Sequence, residues 1–340
     1  MSTTKKRYEG FDILKFICAF LVICIHCPFP KTVGEYFTAL SRVAVPIFFM
    51  ITGYFYRGIS KRKLKKIFLL AVGANILYLI WDCLIAIIIS KEDIINYLLS
   101  ILNFESIINF LIFNESPVAS HLWYLGAALY VLLIAGWFQY INKMHLLYIL
   151  TPILLVCDLI FGKYSLLIFH VEIPYIFVRN FLFVGIPNFC IGIWLNKHRT
   201  DQIHWLKLVV LFSVMTIVER YILVFFNINA TRDSYITTVF LSISLFCFFR
   251  EIYNEKKLSN IEKWMAKLGR EISASIYIIH PIFIDVMSFT MKKIGIYYIY
   301  VYIAPIVVFI TCIVGINLLR EGQAHLKKNE IIKKFSKRFG

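Results

Sequence analysis

"CAFLVICIHCPFP", residues 18–30, is apolar enough to lie in a bilayer, yet it holds an ionisable His26 between Cys24 and Cys27 and ends in two prolines. Traced backwards, the apolar run begins near Phe11 and has the ~20 residues a helix needs to cross the hydrocarbon core. Such runs recur along the chain. Of its 340 residues 60% are hydrophobic and only 16% charged, too few for the polar surface of a soluble domain. The fold class expected is all-α: a polytopic membrane protein with ten transmembrane helices at 11–30, 37–56, 67–89, 121–141, 145–161, 175–195, 207–227, 234–250, 271–291 and 297–319. Lys5, Lys6 and Arg7 precede the first run as they would a signal peptide. That run is long, lacks a small-residue cleavage site and is followed by many spans, so it is expected to stay as the first helix. Residues 1–340 are expected to form a single membrane domain, with 320–340 as a basic cytoplasmic tail. Between spans three and four, Asn96, Ser100, Asn103, Ser106 and Asn109 recur every three or four residues among apolar ones, which predicts an amphipathic helix in the outer interface.

With the N-terminus inside, the cytoplasmic segments hold 26 Lys and Arg and the external ones 6. This asymmetry predicts that both termini are cytoplasmic. The net charge of +16 is thereby a topology signal, which speaks against nucleic acid as a partner and leaves the lipid bilayer, its anionic headgroups included, as the surface met. The eight cysteines form no disulfide framework, and Cys24-Ile-His-Cys27 offers too few ligands on one helix to close a metal site, so no metal is expected.

Charge inside a bilayer is costly and marks cavities. By helical rise, His26 lies about 22 Å from the inner end of span one. Asp82, Asp158, Arg42, Arg179, Glu219 and Arg220 also fall toward the outer face, the last two and Asp158 being equally readable as interfacial groups. On span one, Asp12, Lys15, Ala19, Val22 and His26 share one face, polar at both ends, which suggests a passage from the cytoplasm toward His26. On span nine, "SIYIIHP" places Ser273, Tyr277 and His280 on one face, and Pro281 frees the carbonyl of Tyr277. His280 is then either a second cavity residue or a packing residue whose ring bonds that carbonyl.

These segments carry a resemblance. "RYEGFDILKFICAFLVICIH" with Asp12, Lys15 and His26, "SRVAVPIFFMITGYFYR" with Arg42 and Pro46 to Phe49, "HLWYL" at 121–125 and "SIYIIHP" resemble the acyltransferase family 3 membrane proteins. The resemblance implies acyl transfer from cytoplasmic acyl-coenzyme A, acetyl-coenzyme A in the simplest case, to a hydroxyl of a cell-surface glycan or lipid-linked acceptor at the plasma membrane. The histidine matching His26 is regarded as catalytic. An Arg-x-x-Arg usual after the second helix is represented here by Lys63 and Lys66, and Lys15 stands where arginine is usual. Thioester chemistry needs a base for the acceptor hydroxyl and donors for the oxyanion. The assignments that follow are His26 as base, Arg42 as oxyanion or acceptor ligand, Asp12 as a further member of the catalytic motif, and Lys15, Lys63 and Lys66 for the phosphates of coenzyme A. Asp82 or Glu172 is the candidate to orient the imidazole, with Arg179 and His280 at the substrate. Glycan-assembly partners or a homo-oligomer would be compatible. The same pattern also resembles the membrane domain of membrane-bound serine racemases, which leaves a carrier of a small polar solute such as serine as the alternative, and a catalytically inert scaffold for glycan assembly as a third.

Overall fold

The computed structural model describes residues 8–87, 94–198, 203–230 and 233–339; Lys5, Lys6, Arg7, Lys91, Arg199 and Arg232, counted above for orientation, lie outside them. The described residues form helices and turns without a strand. In chain order the helices are α1 (Glu9–His26), α2 (Lys31–Ser41), α3 (Ala44–Tyr54), α4 (Lys61–Ile85), α5 (Ile94–Ile101), α6 (Phe104–Phe113), α7 (Trp123–Tyr140), α8 (Met144–Phe161), α9 (Ser165–Phe169), α10 (Tyr175–Val178), α11 (Ile186–Lys197), α12 (Trp205–Phe225), α13 (Ile236–Glu255), α14 (Asn260–Glu271), α15 (Ser273–Lys293) and α16 (Tyr297–Phe339). Among the described residues nine helices are long and apolar enough to cross a membrane, or ten with the bent pair α5–α6. The chain is a multi-pass helical membrane protein.

α1 is not among those nine because Glu9, Asp12 and Lys15 dilute its 18 residues. It is instead the central helix, packed against α2, α3, α13, α14, α15 and α16. Its charges therefore face protein rather than lipid, the arrangement that makes them tolerable. The second span is broken between α2 and α3, and the break places Arg42 at the bundle interior. A second break follows α10, where the Asn180 side chain accepts from Leu182 and Phe183 N–H at 2.9 and 3.2 Å and a π-helical turn, Phe181–Gly185, leads into α11. Irregular backbone at such depth needs internal partners, and here a side chain supplies them.

Close approach of helices rests on small residues. α3 lies along α11 so tightly that a Cβ on Gly53 would sit 2.0 Å from the Phe189 carbonyl oxygen, and one on Gly192 would sit 2.0 Å from that of Met50. In lipid, where apolar burial drives association weakly, such contact is the main source of helix adhesion. Gly192→Leu is expected to force α3 and α11 apart and destabilise the fold by about 3 kcal/mol, read as a lower unfolding midpoint in detergent. A variant that melts with the native protein would show that this seam is not needed.

One local expectation changes, and two charged segments are helical. The polar stripe at 96–109 is not one helix: Asn103 caps α6, accepting the Ser106 N–H at 2.8 Å, so the chain bends by 43° between α5 and α6. The Lys61–Lys66 stretch forms the first turns of α4, capped by Ser60. Residues 260–271 form the amphipathic α14, closed by a Ser259–Glu262 capping box and laid along α1 with Gly269 against the Asp12 backbone. The tail from 320 continues α16 as helix.

Candidate active site

At the His26 end of α1 the broken spans enclose a cavity of about 380 Å³. α1 contributes Val22, Ile25 and His26, the α2–α3 junction Arg42, Val45 and Pro46, the turn before α7 Ser120, and α7 itself Trp123. Tyr175, Arg179 and Val184 come from the second break, Asp233 and Ser234 from the stretch before α13, and Tyr277 from α15. Of the sequence-predicted site residues, the structure thus brings His26, Arg42 and Arg179 together.

His26 is exposed to this cavity and makes no hydrogen bond to another described residue. Both its ring nitrogens are available to a ligand. Two further histidines stand behind it. The ring centroid of His280 lies 5.0 Å from that of His26, the ring of His121 lies 6.1 Å away, and these two are 5.2 Å apart. His280 is fully buried, and its Nδ1–H donates to the Tyr277 carbonyl at 2.8 Å, the group that Pro281 leaves free. Its Nε2 then holds a lone pair, buried and without a partner. His121 is also buried, and its Nε2–H donates to the Ile278 carbonyl at 3.1 Å. The sequence contained His121 only as part of a motif; nothing local links it to His26, because the contact is made across 95 residues of chain. No group of three His, Cys, Asp or Glu among the described residues is arranged to hold a metal ion.

Arg42 is ion-paired with Asp233, whose same oxygen accepts the Tyr175 hydroxyl. Burial alone would raise the Asp233 carboxyl, but Arg42 and Arg179 hold it below its ordinary value. Asp233 was not singled out in the sequence, since it lies 191 residues from its partner at the edge of a short loop. That loop is pinned by a buried lysine: Lys163, counted by sequence among external charges, donates to the Ala230 carbonyl at 2.9 Å and lies over the Tyr235 ring. Burial brings its ammonium down to about 7.

Other predicted residues lie elsewhere. Glu219 accepts from the Ile236 and Thr237 N–H, both at 2.9 Å, and so caps α13. Arg220 pairs with Glu35 at 2.5 Å. Asp158 is buried beside Ser234. Asp82 meets Tyr97, near Asp285, and Glu172 is exposed between α9 and α10; neither lines the cavity.

At the other end of α1, Asp12 is buried and pairs with Lys15 at 3.1 Å and with Arg270 at 3.6 Å. It is about 21 Å of helix from His26 and does not share its cavity. Lys15 and Arg270 line a second cavity of about 270 Å³, with Phe48, Ile51, Thr52, Tyr124, Leu125, Ser273, Ala274 and Tyr277. Lys63 and Lys66 are exposed on α4 and line neither cavity. The two cavities lie end to end along α1, α3, α7 and α15, and Tyr277 is a wall of both. The α1 stripe does not form an open passage between them: Ala19 and Val22 are buried by packing, and the Tyr277 hydroxyl is tied to the His121 carbonyl.

A family model described as an acyltransferase domain matches residues 8–320. No curated protein matches the chain, and no solved structure does.

Proposed function

The chain belongs to acyltransferase family 3, and from that premise we propose that it is a plasma-membrane O-acyltransferase. It moves an acyl group, acetyl in the simplest case, from cytoplasmic acyl-coenzyme A to a hydroxyl of an extracytoplasmic glycan or lipid-linked acceptor. The observation that supports this most is the pair of end-to-end cavities, with Lys15 and Arg270 in one, His26 in the other and Tyr277 between. The bias of Lys and Arg supports a cytoplasmic Lys15 end. Lys15 and Arg270 then receive the phosphates of coenzyme A, and the acyl thioester reaches the level of Tyr277.

The Tyr277 side chain turns aside to admit the thioester to the other cavity, where His26 takes the proton of the acceptor hydroxyl as its oxygen attacks the thioester carbonyl. The carbonyl becomes an oxyanion, for which Arg42 supplies the N–H donors not engaged by Asp233. The C–S bond then breaks, the ester is formed, and the coenzyme A thiolate takes the proton back from His26. The unpaired Nε2 of His280 faces no competing partner and orients the imidazole by accepting its N–H after a small ring rotation.

Liposomes with labelled acetyl-coenzyme A on the Lys15 side and a sugar acceptor on the other test this. Labelled acceptor that requires His26, without coenzyme A crossing, is the expected result. Serine uptake without acyl transfer would establish the carrier alternative instead. On the donor side, the double variant Lys15→Gln with Arg270→Gln is expected to raise the KM for acetyl-coenzyme A about a hundredfold, the loss of two charge-assisted contacts at about tenfold each. The Lys63→Gln, Lys66→Gln pair is expected to change it less. The reverse order would return the donor site to α4.

A further inference from the structure

We propose that the acceptor itself carries an oxyanion, a carboxylate or a phosphate, and that Arg179 binds it. This rests on the acyl-transfer reading of the cavity and names the substrate class it takes. Two guanidinium groups line the cavity against one carboxylate, Asp233. Arg42 takes that carboxylate. Arg179 has no carboxylate within ion-pair distance and no hydrogen-bond acceptor among the described residues. Its guanidinium lies instead over the rings of Tyr175, at 4.1 Å, and Trp123, at 5.6 Å.

Aromatic faces hold a guanidinium in place without consuming its N–H groups. The result is a fixed cation whose planar set of donors is unspent. The chain departs from regular helix to put it there, since Arg179 directly follows α10 and precedes the Asn180-capped turn. A guanidinium with no partner at ion-pair distance in a membrane cavity is costly and is retained where a ligand completes it. The reaction does not account for it, because the thioester and hydroxyl are both neutral and Arg42 already faces the developing oxyanion. The planar fork is suited to the two oxygens of a carboxylate or phosphate. A sugar acid would present that group from the glycan; a lipid-linked acceptor would present it as the phosphate of its anchor.

The test uses the full chain in nanodiscs and does not depend on turnover. Glucuronate, glucose, inorganic phosphate and a prenyl phosphate held in the bilayer are compared as probes. Anion binding is expected to raise the unfolding midpoint by about 3 °C at saturating probe, with no shift from glucose. The shift is expected to shrink with added salt, vanish in Arg179→Gln and survive in part in Arg179→Lys. A response to glucuronate alone assigns the sugar as the source of the anion, and a response to prenyl phosphate alone assigns the lipid. No shift with any anion, or equal shifts in Arg179→Gln, overturns the proposal. A parallel transfer assay separates its failure from that of the acyl-transfer reading. Anion binding without transfer would remove the enzyme and keep the site. Transfer to glucose and glucuronate slowed equally by Arg179→Gln would keep the enzyme and reduce Arg179 to an oxyanion ligand.

Discussion

His26→Ala is expected to lower acyl transfer by about 10²–10⁴-fold, the range general-base catalysis contributes, while the protein inserts and melts as before. The second half of that expectation comes from the structure. His26 is exposed to the cavity and bonds no other described side chain or carbonyl, so truncation leaves no orphaned polar partner. His280→Ala makes the contrasting case. It strips the Tyr277 carbonyl of its donor inside α15, where Pro281 cannot replace it, and should destabilise by roughly 1–3 kcal/mol. Its effect on transfer should be smaller than that of His26→Ala. Transfer rates and unfolding midpoints measured on the two variants side by side separate a reacting imidazole from a supporting one. Full activity in His26→Ala would remove the base assignment.

Asp233→Ala is expected to be the most damaging change at the site for stability. Arg42 and Asp233 are each about a quarter exposed, 24% and 26%, and the Tyr175 hydroxyl shares the same carboxylate oxygen. Removing the acid leaves the Arg42 guanidinium uncompensated and takes an acceptor away from the Tyr175 hydroxyl. Breaking a buried pair from one side costs about 3–5 kcal/mol, and partial exposure puts this one near the lower bound. Removing both partners should cost less than Asp233→Ala alone, because no lone charge remains. A double-mutant cycle on unfolding midpoints checks this; a double variant less stable than either single would refute it. The pH dependence has a defined sign. The folded carboxyl titrates below its ordinary value, so its contribution is present above the unfolded value near ~3.9 and is lost as pH falls through the lower folded value. The pair should therefore hold between pH 7 and 5 and weaken only in stronger acid.

Single residues show where the sequence was legible. His26 and Arg42 announced themselves because an ionisable side chain in an apolar run is conspicuous without any partner. The carbonyl freed by Pro281 was also readable, since the missing N–H acts four residues back on the same helix. Asp233, His121 and Arg270 were not readable. Asp233 and Arg270 stand in short polar segments where charge is ordinary, and His121 opens a span. Each acquires meaning only from a neighbour remote in the chain. Asp12 shows the converse. Its motif pointed to catalysis, whereas its position holds Lys15 and Arg270 at the opposite end of the bundle from His26.

What the sequence alone determined is what periodicity and transfer energy impose segment by segment. The chain spans a membrane repeatedly, as helices, because every run is long and apolar enough and backbone polar groups in lipid must be satisfied within the segment. The tertiary structure decided which of the buried charges work together. Breaks at Arg42 and after α10 turn two cations toward His26, and α14 folds Arg270 onto α1. Tyr277 divides the interior into two chambers. Helix rotation and crossing set those juxtapositions, through contacts such as Gly53 on Phe189 and Gly192 on Met50. Such contacts depend on both surfaces at once, so neither segment's sequence specifies them by itself.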